Sequence, residues 1–285
     1  MGHASKNKPD KVSISNISKI STCSLSSGSS GNCILIKSGG ASILIDAGIS
    51  ARNTVESLAS FNVDITSIDA IFITHEHIDH VKGLKVISSK YKIPVYMIWE
   101  SFNSLHEDYK FSMSEIINFI SPQEAVVIGD LTVECYQTPH DSAASVGYII
   151  KQGDQKFVGI ATDIGCVTDE VIAALSGCEI IYIESNHDLE MLKVSSYPAN
   201  LKRRIKSKQG HLSNVDCAKT LPVLIKNGTR KILLYHLSKE NNTREIAFME
   251  SRKSIIEAKL NVGTIFLGVA PQFEPSQLLE IHIEI

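Results

Sequence analysis

Four side chains that ligate metals fall within six residues in the stretch His75-Glu76-His77-Ile78-Asp79-His80. Imidazole nitrogens and carboxylate oxygens are the donors that zinc and similar borderline cations prefer. A turn there can aim positions 75, 77, 79 and 80 into one cleft. Without a cation, neutral histidines and an ionised carboxylate packed so densely are hard to accommodate away from water. Three more residues of the same kinds lie downstream: His140 in TPHD, Asp163 in ATDIG and His236 in YHLS. Seven donors exceed what one ion takes. They suit two divalent ions a few Å apart that share a carboxylate and a water. Water on such an ion has a pKa of about 7 and is a ready nucleophile for hydrolysis.

Each donor follows an apolar run that reads as a strand: 69–73 before the 75–80 stretch, 131–137 before His140, 156–161 before Asp163 and 231–235 before His236. Carboxyl ends of strands are where open α/β folds build their sites. Alternating runs around Gly39-Gly40 (33–36 and 42–46), Gly129-Asp130 (125–128 and 131–137) and Gly153-Asp154 (146–151 and 156–161) read as hairpins. Further strands are expected at 94–97, 179–183 and 264–267. Helices are expected at 52–60, 80–90, 98–107, 168–175, 199–207, from near 213, and at 243–259. A weak alternation at Val12, Ile14 and Ile17 leads into a polar loop over 24–32. The pattern predicts an α/β layered sandwich, sheets inside and helices outside. It forms one domain over 12–285 behind a disordered tail, 1–11. Gly28-Ser-Ser-Gly31 lies between two strands with no helix after it, so it is not a dinucleotide-binding turn.

Composition narrows the classes. The 285 residues carry 28 Lys plus Arg against 31 Asp plus Glu, a net charge of -3 that excludes coating nucleic acid by bulk basicity. Six cysteines contain no CxxC pair, which excludes a zinc ribbon or a disulfide scaffold and fits a reducing, cytoplasmic setting. No signal segment is read at the start, and no apolar run approaches the roughly 20 residues of a membrane span.

The strand-HxHxDH-helix segment, with His140, Asp163 and His236 in order behind it, resembles the metallo-β-lactamase superfamily of binuclear hydrolases. The resemblance implies the four-layer αβ/βα sandwich of that superfamily. It also implies that His75, His77 and His140 bind one ion, that Asp79, His80 and His236 bind a second, that Asp163 bridges them and that Asp46 supports the site from behind. SLSSGSSGN, TPHD, TDIG, ESNHD, GHLSN and HLSKENN together are similar to the YycJ/WalJ-like branch, associated with 5'-to-3' exonuclease action on DNA. The pattern is related to ribonuclease Z, on which Glu184 pairs with His211 and His211 faces the scissile phosphate. The catalytic group so implied is Asp79, His211 and Glu184, with zinc, manganese or iron as the two ions and a bridging hydroxide as the nucleophile.

Lys202, Arg203, Arg204, Lys206 and Lys208 place five positive charges in seven residues just before His211. Alone, such a run is also what a solvated helix face looks like. Beside a binuclear site it suits a polyanionic backbone, since Lys and Arg supply phosphate contacts. Ser29 and Asn32, in the Ser26–Asn32 loop, are candidates for receiving a terminal phosphate, or that loop is a tight turn over the metals. His187 is a candidate at the substrate rim. The expected partner is a nucleic acid, DNA by the resemblance, with no membrane and a homodimer left open. The rivals are a small-molecule or cyclic-nucleotide phosphodiesterase, an RNA-processing nuclease of the same fold, and a non-catalytic metal-binding regulator.

Overall fold

Apolar runs that alternate only weakly with polar residues are what strands covered on both faces require, and the chain forms two sheets of this kind. A computed structural model describes residues 17–122 and 124–284. The expected tail 1–11 and the alternation at Val12 and Ile14 lie outside the described residues.

The first half runs β1 (Ile17–Ser26), β2 (Cys33–Lys37), β3 (Ser42–Ile45), α1 (Ala51–Ala59), β4 (Ala70–Phe72), α2 (Ile78–Val81), α3 (Leu84–Tyr91), β5 (Val95–Met97), α4 (Trp99–Ser104), α5 (Glu107–Met113) and β6 (Ile117–Phe119). The second half runs β7 (Ala125–Ile128), β8 (Leu131–Gln137), β9 (Val146–Gln152), β10 (Gln155–Ala161), α6 (Asp169–Leu175), β11 (Ile180–Glu184), α7 (Leu189–Val194), α8 (Ala199–Ile205), α9 (Asn214–Lys226), β12 (Lys231–Tyr235), α10 (Arg244–Glu257), β13 (Phe266–Val269) and β14 (Leu279–Glu284). One sheet has the order β14-β1-β2-β3-β4-β5-β6 and the other β13-β12-β11-β10-β9-β8-β7.

Pleating sorts the side chains by layer. Ile34, Ile36, Ile43 and Ile45 meet Val133, Tyr148, Ile160 and Tyr182 between the sheets. Their neighbours Leu35 and Leu44 face the other way, against Leu58, Leu84 and Ile87 of the first helical layer. On the far side Ile181 and Ile183 pack against Val171, Leu221 and Ala247 of the second. The result is the expected helix-sheet-sheet-helix sandwich. Hydroxyls tie the two sheets together: Tyr148 donates to the Ile73 carbonyl at 2.6 Å and Tyr235 to that of Ser26 at 2.8 Å, while Thr22 and Tyr182 hydroxyls meet at 2.9 Å.

Strand direction gathers the donors. β1 and β3 run opposite to β2, and β4 runs parallel to β3. In the other sheet β8 and β10 run opposite to β9, and β11 and β12 continue parallel to β10. The carboxyl ends of β1, β3 and β4 therefore share one edge of their sheet, and those of β8, β10, β11 and β12 share one edge of theirs.

Three expectations change. The polar loop begins later than 24, because β1 extends through Ser26. Ser24 is buried and bonds through its amide to Ser276 Oγ and through its hydroxyl to the Ser26 carbonyl. The helix over 80–90 is two, α2 and α3, broken at Gly83. A Cβ there would lie 2.2 Å from the Ile49 carbonyl, so the chain passes too close to the β3 loop for any other residue. The helix over 98–107 divides likewise into α4 and α5 around Leu105 and His106. β6, α7 and β14 were not expected, being short or lying at sheet edges.

Candidate metal centre

Asp46 and His236 directly follow β3 and β12, Asp163 stands two residues past β10, and all three adopt left-handed backbone, with φ of 62°, 51° and 56°. For residues with a Cβ this conformation is uncommon and costs on the order of 1–3 kcal/mol. It turns the chain sharply at the sheet edge, and the three side chains converge there with the 75–80 turn.

His75, His77 and His140 form one donor group, with their ligand atoms within 4.8 Å of one another. The Gly210 carbonyl, 3.1 Å from His140 Nδ1, can only accept, so that nitrogen carries the ring proton and Nε2 presents a lone pair. That Nε2 lies 3.3 Å from His77 Nδ1. His75 Nδ1 is 3.1 Å from the Thr74 hydroxyl, while its Nε2 is buried without a hydrogen-bond partner. Burial, assisted by the charge on His80, pushes the His75 pKa well below the ordinary imidazole value, so this ring is neutral.

Asp79, His80, Asp163 and His236 form a second group within the same limit. Asp46 Oδ2 holds His80 Nδ1 at 2.7 Å, and its Oδ1 accepts from the Thr74 amide at 2.8 Å. This is the carboxylate behind a ligating histidine that sets tautomer and ring orientation. Glu184 Oε1 does the same for His236 Nδ1 at 3.0 Å. Asp163 stands between the groups: Oδ2 is 3.1 Å from His80 Nε2, and Oδ1 is 3.5 Å from His236 Nε2 and 4.0 Å from His140 Nε2. Burial opposes the charge on Asp163, yet His236 and His80 hold its pKa well below the carboxylate range. Burial likewise opposes charge on His236, and Asp163, Asp79 and Glu184 overrule it, raising the pKa to about 10. A set of buried carboxylates that draws protons onto its histidines this strongly is a site built for positive charge.

Glu184 and His211 form a third group with Asp163 and His236. Glu184 is fully buried, and Oε1 accepts from His211 Nδ1 at 2.8 Å. Its Oε2 takes the Ile164 and Leu212 amides at 2.7 and 3.2 Å. Burial opposes charge on His211 and Glu184 restores it, so its pKa is raised. The His211 side chain is 20% exposed, the open member of an otherwise closed cluster.

The expected substrate residues divide. Arg203 and Arg204 are exposed on α8. Arg204 pairs with Asp141, next to His140, with Nη2 3.1 Å from Oδ1. The Lys202 ammonium is engaged by the Lys193 and Ser195 carbonyls at 2.7 and 2.6 Å, so it closes the end of α7. Ser29 is exposed on its turn. Asn32 is buried and turned inward: Oδ1 accepts the Gly28 amide at 2.8 Å, and Nδ2 lies 3.1 Å from His80 Nε2. The Gly31 and Asn32 amides are also used, by the Gly28 and Asp79 carbonyls, so this loop serves as a turn over the second donor group. His187 is 1% exposed with neither ring nitrogen hydrogen-bonded, and burial lowers its pKa to about 4.

Sequence reasoning passed over several supporting residues. Glu76 accepts the Ala143 amide at 2.7 Å and fixes the loop after His140. Thr74 spans Asp46, His75 and His80. Gly48 allows the β3 loop to lie against α2; a Cβ there would fall 1.7 Å from the Asp79 carbonyl. Nothing local marks Gly48, whereas Thr74 immediately precedes the motif and Glu76 lies within it. Asn242 Nδ2 donates to the Ser185 and Asn186 carbonyls, both at 2.9 Å.

The donor set fits metal ions on its own chemistry. The buried His75 Nε2 with no partner, beside the His140 Nε2 lone pair 3.3 Å from His77 Nδ1, is an arrangement that a cation relieves.

Residues 27–159 match the metallo-beta-lactamase superfamily. The chain is 34% identical to exodeoxyribonuclease YycJ of Bacillus anthracis over 251 residues, covering 85% of this chain and 91% of that protein. It is 36% identical to exodeoxyribonuclease WalJ of Streptococcus pneumoniae over 245 residues, covering 85% and 90%. The fold is similar to that of YhfI, a metallo-beta-lactamase fold protein from Bacillus subtilis. There the TM-score is 0.67 at 17% identity, over 92% of this chain and 100% of that one.

Proposed function

The chain belongs to the metallo-β-lactamase superfamily, among the YycJ/WalJ proteins, and from that premise we propose that it is a metal-dependent phosphodiesterase acting as a 5'-to-3' exonuclease on DNA. His75, His77 and His140 hold one divalent ion, Asp79, His80 and His236 a second, and Asp163 contributes to both. Zinc, manganese and iron all suit mixed imidazole and carboxylate donors. Ions bound there would neutralise the phosphate oxygens and favour ionisation of a water at neutral pH.

The chain's own groups supply the rest. Asp79, whose side chain is 18% exposed, is the carboxylate of its group that reaches the cleft, and it orients the attacking water. Glu184 takes the Nδ1 proton of His211 in a hydrogen bond, so Nε2 is the nitrogen turned to substrate. From there it steadies the developing charge or donates a proton to the leaving oxygen. Arg203 and Arg204 hold the phosphate backbone beyond the scissile bond. Asn32 and Lys202 act as positioning residues in this reading. The observation that carries it is the 2.8 Å contact between buried Glu184 and partly exposed His211, beside both donor groups. A structural metal site has no use for a carboxylate-held imidazole that belongs to neither ion. The unpaired cysteines, and the lack among the described residues of any helix long and apolar enough to cross a membrane, support action in the cytoplasm.

The test is a substrate panel with each metal added: single- and double-stranded DNA bearing a 5'-phosphate or 5'-hydroxyl, RNA, and cyclic nucleotides, with labels at either end. We expect mononucleotides released progressively from the 5' end of DNA. Turnover of cyclic nucleotides with DNA left intact would replace this reading with the small-substrate one.

A further inference from the structure

A trough of about 560 Å³ opens beside the metal groups, reaching from His140 and Gln209 to Trp99 on α4. Its size is that of an ordinary ligand site. Trp99 is the single tryptophan of the chain and is 52% exposed. It is braced rather than loose: Phe119 meets it edge-on at 4.9 Å and 82°, and Phe102 backs Phe119 at 5.2 Å. The Ser101 hydroxyl donates to the Ala144 carbonyl, joining α4 to the loop that follows His140.

The lining says what kind of group belongs there. Among the described residues it contains no Lys or Arg, and Glu100 is its carboxylate. A phosphate is therefore disfavoured, while Arg204 of α8 stands nearby, paired with Asp141 between the lining residues His140 and Ser142. Polar edges are available on its walls. The Ser142 hydroxyl is buried with no partner, and the side-chain amides of Gln137 and Gln209 make no hydrogen bond to another described residue. A slot with an exposed indole, no cationic side chain and a few polar edges, continuous with the donor groups, matches one part of a nucleotide: the base.

We infer that Trp99 is a stacking platform for a nucleobase of the DNA strand, next to the nucleotide whose phosphate lies at the metal centre. This inference rests on the reading of the substrate as nucleic acid. Aromatic platforms hold bases of any sequence through the π-face, so the site adds affinity and register without sequence preference. The Glu100 carboxylate keeps phosphate out of the slot, and Phe119 fixes the angle at which the indole meets the base.

The lone tryptophan reports on its own occupancy. Metal-loaded full-length protein is titrated with 5'-phosphorylated, phosphorothioate-linked oligothymidines, either complete or abasic at one of the first three positions, while indole emission is followed. We expect the complete strand to quench the emission and one abasic position to abolish the quenching. With cleavable strands, Trp99→Ala should raise KM by about 5- to 100-fold at similar kcat. Trp99→Phe should recover most of that loss, and the difference between Trp99 and Ala should vanish on the abasic strand. Strands that bind and are cleaved with emission unmoved, and with all base and abasic strands alike, would overturn the platform while leaving the exonuclease intact. Failure of every strand to bind or be cleaved would remove both.

Discussion

Nδ1 of His211 and Nδ1 of His236 meet the same oxygen, Glu184 Oε1, at 2.8 and 3.0 Å. The carboxylate thus orients one imidazole assigned to an ion and another assigned to substrate. Removing either imidazole should have a different effect from removing Glu184 itself. His211→Ala is expected to keep the metal content of the parent and lose about 10²- to 10⁴-fold in hydrolysis, the ordinary range for an acid-base group. Glu184→Ala is expected to lose activity and also to bind metal about 10- to 100-fold more weakly, because the histidine it supports is a proposed ligand. Metal analysis after dialysis, paired with initial rates, separates the two. Full metal retention in Glu184→Ala would show that Asn186, whose Nδ2 lies 3.4 Å from His236 Nδ1, suffices to hold that ring. The ligand types of this site were legible at once, since imidazoles and carboxylates at strand ends are a local signal. The sharing of Glu184 was not, because positions 184, 211 and 236 approach one another only through the parallel pairing of β11 with β12 and the return of the chain before α9.

Helix α8 shows how an element recasts its residues. Five basic residues in a short run suggested one phosphate-binding strip. Folding divides their tasks: Lys202 is spent on the end of α7, Arg204 is paired to Asp141, and Arg203 is exposed on the surface. Arg203→Ala should therefore weaken DNA binding and lower its salt dependence by about one counterion, leaving turnover of a small chromogenic phosphodiester unchanged. Arg204→Ala should reduce both, since it also frees a carboxylate whose Oδ1 lies 3.5 Å from His140 Nε2. Titrations at several salt concentrations beside small-substrate rates distinguish them; equal behaviour of the two variants would argue against the division. The same scale explains the misread helices. Hydrophobic spacing over 80–90 is continuous, and only the close approach of the β3 loop to Gly83 breaks the helix there.

Over the whole molecule, what holds the metal edge in place is the joint between the sheets. Tyr148 anchors the carbonyl of Ile73, two residues before His75, and Tyr235 anchors that of Ser26 at the mouth of the Ser26–Asn32 turn. All of these groups are buried, so Tyr148→Phe and Tyr235→Phe each leave a carbonyl oxygen short of a partner. Each should cost about 1–3 kcal/mol, read as a lower urea midpoint at unchanged slope. No change in midpoint would mean that these two hydroxyls do not help to join the sheets. The hairpins around Gly39-Gly40, Gly129-Asp130 and Gly153-Asp154 and the strands leading to each donor could be read directly from the chain, as their turns and periods are local. The edge strands β6 and β14 could not, because they are held mainly by the neighbours that pair with them, β5 and β1. By itself, then, the sequence determined the layered α/β class and the seven donors, through the motif at 75–80 and the residues closing three later strands. Only the tertiary structure decided which donors share a group, that Asn32 and Lys202 turn to neighbours in the fold, and that Trp99 opens onto the cleft. Those are relations between positions far apart in sequence, fixed when two sheets bury their common face and leave one edge to gather the polar ends of their strands.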